Sequence, residues 1–138
     1  MMECKILKEQ LGTVNQSLFY LMLIILSILL SLWSVLIQRE QLENALAGNA
    51  QEAVTPDIFS IKRTASVLTV SALGFFFDLA LRTCRDAARG NDPAAQKSAG
   101  MNVWASLFVL TAALIRFCDL NFTESAQRSL LAENVQPE

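Results

Sequence analysis

Between Glu9 and Arg39 the chain carries no charged residue, and this uninterrupted stretch, residues 10–38, leaves few stable options. A helix crosses the ~30 Å hydrocarbon core of a bilayer with about 20 apolar residues, and it satisfies its backbone polar groups internally. From Leu18 to Ile37, fourteen of the twenty residues are Leu, Ile, Val or Phe. At about −0.3 to −0.6 kcal/mol each, their contribution to insertion is of order −4 to −8 kcal/mol. The run therefore predicts a membrane-spanning helix that inserts unaided. A cleavable secretory signal is the competing reading, but its apolar region would be only ~7–15 residues long and end on small residues. Residues 31–40 offer no such cleavage site, so an uncleaved anchor is expected. Tyr20 and Trp33 would stand roughly 20 Å apart along this helix, a spacing that suits aromatic anchors at opposite interfaces.

Composition extends the inference to the rest of the chain. Its 138 residues suffice for one domain, and a 53% hydrophobic, 17% charged composition departs from the ~25% charged average of soluble domains. The expected fold is all-α: an integral membrane helix bundle with three transmembrane helices, long helical extensions and a short C-terminal helix, forming a single membrane domain over residues 1–138. A soluble helical bundle with helix 1 buried at its centre is the alternative architecture.

Helix 1 is predicted over about residues 3–47, with an amphipathic lead-in around Lys5, Ile6, Leu7 and Lys8 and a span at 18–38. Gly48 and Asn49 end it, and residues 48–54 read as a linker. Thr55, Pro56 and Asp57 then supply an N-cap, a first-turn proline and a first-turn acid, so helix 2 is predicted over about 56–89 with its span at 64–82. Gly90 and Asn91 stop it, and Asp92 with Pro93 starts helix 3 at once, which implies an antiparallel hairpin. Helix 3 is predicted over about 93–120, spanning at 98–117. Only seven of its eighteen residues from Ser98 to Ile115 are Leu, Ile, Val or Phe, so its insertion calls for partners. Asn121 and Thr123 are expected to cap the short amphipathic helix at about 124–133. Lysine and arginine counts of six (Lys5, Lys8, Arg82, Arg85, Arg89, Lys97) against five (Arg39, Lys62, Arg63, Arg116, Arg128) favour a cytoplasmic N-terminus and an outside C-terminus.

Side-chain chemistry narrows the function classes. The chain has no histidine, the commonest general base and metal ligand, and its three cysteines, Cys4, Cys84 and Cys118, are dispersed without a CxxC. No paired carboxylates or activated nucleophile stand out. The expectation is therefore a non-enzymatic protein with no cofactor, no metal and no evident small-molecule substrate. A formal charge of −2 and the absence of basic motifs set nucleic acid aside.

Several residues stand out as sites of packing or charge. Thr13, Ser17, Tyr20, Ser27, Ser31, Ser34 and Gln38 recur at three- and four-residue steps on helix 1, a stripe interrupted only at Ile24. Small hydroxyl residues let helices approach closely and bond across the contact, so this stripe is expected to be a helix-packing seam against helices 2 and 3 or against a sister chain. A serine-lined pore is the sharper reading. Asp78 is the one acid inside an apolar run; it is either an intramembrane functional carboxylate or the i, i+4 partner of Arg82 at the interface. Arg116 should lie near the opposite face of the bilayer. Arg82, Arg85 and Arg89 share a face that suits anionic lipid headgroups or ordinary positive-inside anchoring, and Cys84 beside them reads as a plain juxtamembrane thiol. Phe75, Phe76 and Phe77 read as lipid-facing bulk and core, and residues 121–123 form an N-glycosylation sequon that matters only in a lumenal setting.

The expected partners are the lipid bilayer and further copies of the chain. The function expected from these residues is assembly by helix packing, as a homo-oligomer or an accessory subunit. A pore- or channel-forming protein of the holin-like size class is the alternative, although the acidic C-terminal tail departs from the basic tail common there.

Overall fold

The computed structural model describes residues 1–48 and 57–134, which form three helices: α1 Met2–Leu46, α2 Ile58–Arg89 and α3 Pro93–Asn134. The fold is all-α, and each helix is long and apolar enough to cross a membrane. At 1.5 Å per residue the 45 residues of α1 extend about 68 Å, more than twice the ~30 Å core of a bilayer, so a span of this helix would leave its ends outside.

Local chemistry sets the helix ends. Past α1, the Ala47 N–H donates to the Glu43 carbonyl at 3.0 Å, and Gly48 takes φ 73, a left-handed conformation that glycine adopts without a Cβ penalty. Asp57 caps α2, its Oδ1 accepting from the Phe59 N–H at 3.1 Å. The Thr55 cap and Pro56 start expected from the sequence lie outside the described residues, as do residues 49–54 of the expected linker. Gly90 closes α2, and Asp92 caps α3 by accepting from the Ala94 N–H at 3.0 Å. Gln96 reaches back across this turn and donates to the Gly90 carbonyl at 2.9 Å.

One expected element is corrected. The short helix at 124–133 is not separate but forms the last turns of α3, which continues through Asn121 and Thr123. From Met101 to Asn134 the sequence holds neither glycine nor proline, so nothing forces a break. Glu124 is also tied to Arg63 of α2, which holds this end of α3 against the bundle.

Contacts between distant residues give the topology. Ser27 meets Thr69 and Tyr20 meets Phe75, so α1 and α2 are antiparallel; Gln96 meets Gly90 and Glu124 meets Arg63, so α2 and α3 are too. Among the described residues no Cα of α1 comes within 8 Å of a Cα of α3. The helices form an open row with α2 in the middle, not a closed triangle. Small residues make up most of the buried set: Ala65, Ala72 and Ala80 of α2, Ser27 and Ser34 of α1 and Ala99 of α3 are buried, together with Ile37 and Glu124. Large side chains such as Leu29, Trp33, Trp104 and Phe108 point outward.

Candidate functional site

The expected seam on α1 divides once its neighbours are known. Ser27 and Ser34 are buried, at 3% and 1% exposure, and Ser17, Tyr20 and Gln38 are half-buried, whereas Thr13 and Ser31 are exposed. Among the described residues α1 packs on α2, so the buried part of the stripe is an intramolecular contact. Thr69 Oγ1 lies 2.8 Å from Ser27 Oγ and 2.9 Å from the Ala65 carbonyl, so its single proton serves one or the other. Ser27, Ser31 and Ser34 donate to the carbonyls of Ile24, Ser27 and Ser31 at 2.8–2.9 Å. Their hydroxyls are therefore satisfied within the helix, which is how a serine-rich stripe sits at apolar depth at little cost.

Tyr20, expected both in the seam and as an aromatic anchor, takes the seam position. It lies in phase with Ser17 and Ser27, turns toward α2 and stacks on Phe75, with ring centroids 4.1 Å apart and an interplanar angle of 13°. Trp33 faces outward. Phe75, Phe76 and Phe77 are all half-buried.

Because no described Cα of α1 lies within 8 Å of one of α3, a groove runs between them over α2. Nearer the middle of the apolar spans it encloses about 520 Å³ among Ser31, Ala65, Ser66, Thr69, Val109, Ala112 and Arg116. Toward the C-terminal end of α3 a further 460 Å³ is bounded by Ser34, Gln38, Lys62, Arg116, Asp119 and Thr123. Arg116 belongs to both parts and forms no ion pair or hydrogen bond with any described side chain.

One face of α3, which lines the groove with Val109, Ala112, Arg116, Asp119 and Thr123, has an order that counting apolar residues does not reveal. Ser98, Asn102, Ala105, Val109, Ala112, Arg116, Asp119 and Thr123 follow one another at alternating steps of four and three, and all eight are exposed. This small and polar stripe runs beside the bulky Trp104, Phe108 and Ile115. The alternating spacing was the signal available in the sequence.

The remaining charges sort into pairs and free groups. Arg82 Nε lies 2.9 Å from Asp78 Oδ2, the i, i+4 pair that the spacing suggested, and both side chains are more than half exposed. A pair this solvated contributes ~0–1 kcal/mol. Arg85 and Arg89 are exposed beside it, while Cys84 is half-buried. At the other end of α2, Glu124 is buried and paired to Arg63 and, at 2.6 Å, to Arg128. Its 61-residue separation from Arg63 hid this clamp from any local reading. Among the described residues no three His, Cys, Asp or Glu side chains converge as metal ligands would.

No protein-family model, curated protein or solved structure matches this chain.

Proposed function

We propose that this chain is a non-enzymatic integral membrane protein that works by helix packing and assembles with further copies of itself. The carrying observation is the open groove between α1 and α3, lined by the C-terminal half of an exposed small and polar stripe on α3. At the depth of the apolar spans, polar side chains on a lipid-facing surface are costly, and small residues gain most from a close helix contact. A further helix laid along the stripe would cover Asn102 and bring a backbone against Ala105 and Ala112. The extent of large apolar side chains on the outer surface supports a lipid setting, since soluble monomers rarely expose so much. Filling of the groove by a helix of a different protein is the accessory-subunit form of the same reading.

A pore is favoured by one observation: Lys62, Arg116 and Asp119 all line the groove and could hydrate a path between assembled copies. The serines add little to it, because their protons are already committed to helix carbonyls. Native mass spectrometry in mild detergent tests the main reading. An oligomer of defined size is expected; a monomer at every detergent-to-protein ratio would overturn self-assembly. Steady conductance in planar bilayers would move the reading to the pore.

A further inference from the structure

Self-assembly alone does not say how two copies meet, and the pattern on α3 does. We propose that α3 of a second copy packs parallel to α3 about a two-fold axis along the membrane normal, with Asn102 facing its own counterpart and Arg116 reaching Asp119 of the partner subunit. This rests on the self-assembly reading and adds a surface, a direction and a register to it.

The surface follows from spacing and exposure. Asn102, Val109 and Arg116 recur every seven residues, as do Ala105, Ala112 and Asp119, and the two sets interleave as the a and d positions of a two-stranded seam. All six are exposed in the single chain. Alanine at both apolar d positions allows close approach, and a β-branched residue at a suits two strands. On the serine face of α1, Ser27 and Ser34 are already buried against α2, which leaves no comparable continuous seam there.

The direction follows from the membrane. Copies inserted the same way present their α3 helices parallel and at equal depth, so a two-fold axis sets each seam residue opposite itself. Asn102 meets this condition, because an amide is both donor and acceptor and can bond its own twin. A lone asparagine at such a position also fixes register, since any slip leaves it unpaired in an apolar layer.

The register follows from charge. Arg116 opposite Arg116 would repel, but Asp119 stands one turn further along the same stripe. Two symmetric Arg116–Asp119 contacts across the axis leave that layer neutral, and neither residue has an ion partner among the described residues that would compete. An anionic lipid headgroup in the groove could use Arg116 and Lys62, but it would give Asn102 no role and would be repelled by Asp119. A second copy accounts for all of these groups.

Cysteine cross-linking in a C4S/C84S/C118S background reads the surface directly. A112C should form a disulfide-linked dimer in native membranes, and L114C, exposed but off the seam, should not. R116D and D119R should each raise the dimer dissociation constant roughly tenfold, R116Q by less, and the R116D/D119R reversal should restore it. Helical circular dichroism on each variant separates lost pairing from lost folding. If a dimer persists but L114C links as well as A112C, or the reversal fails to restore a folded R116D chain, the α3 seam is overturned while self-assembly stands. If native mass spectrometry finds only monomers, self-assembly itself falls. An anionic phospholipid that co-purifies with the wild-type chain and is lost in R116Q, with the oligomer unchanged, would likewise overturn the seam.

Discussion

Glu124 is the residue whose surroundings carry the clearest energetic asymmetry. Its side chain is 5% exposed, whereas those of its partners Arg63 and Arg128 are 47% and 70% exposed. Removing the carboxylate leaves two arginines that water can solvate. Removing Arg63 leaves a buried carboxylate with one partner instead of two, and a hydrogen bond to a charged group is worth about 1.5–3 kcal/mol. Arg63→Met should therefore loosen the junction of α2 and α3 by about 1–3 kcal/mol, and Glu124→Gln by less. Hydrogen exchange at residues 58–66 and 120–134 checks this, with faster exchange expected in R63M than in E124Q. The opposite order would mean that the arginines, not the acid, depend on the clamp.

At the scale of the helix, what was legible in the sequence is what has a local chemical cause. Gly48 and Gly90 end helices, Asp92 with Pro93 starts one, and the four-residue step from Asp78 to Arg82 makes a pair; each could be read within one or two turns. The break placed before residue 124 failed because Asn121 and Thr123 cap a helix only where the backbone has a reason to leave it. Here Glu124 pulls the chain onward against Arg63, a partner on another helix. The seam gave the direction of Tyr20, but not its partner, since Phe75 lies on the neighbouring element. The stripe on α3 was within reach but is masked when a helix is judged by its number of apolar residues, because its signal lies in which face the small ones occupy. The continuity of α3 can be tested with Asn121→Pro, which removes a helical hydrogen bond at ~3 kcal/mol in a helix interior. Residues 122–134 should lose exchange protection while 93–115 keep theirs. Unchanged protection beyond residue 121 would mean that a break there was already present.

For the molecule as a whole, the decisive property is that, among the described residues, α1 and α3 each pack on α2 with no Cα of one within 8 Å of the other. The α1–α2 pair should then be independent of α3. In a chain ending after Gly90, with its other cysteines replaced, S27C/T69C should cross-link as readily as in the full-length protein, since the two hydroxyl oxygens they replace lie 2.8 Å apart. Loss of cross-linking on truncation would show that α3 holds α1 in place indirectly.

The open row also bears on how such a chain is made. Each helix packs only on the helix adjacent to it in sequence, so every contact joins a segment leaving the ribosome to the one synthesised just before it. In a bilayer the strongly apolar α1 would enter alone, α2 would find an earlier neighbour already in place, and the less apolar α3 would arrive to an existing surface. Assembly order within the chain is thus the order of translation, and no segment is held back for a partner not yet made.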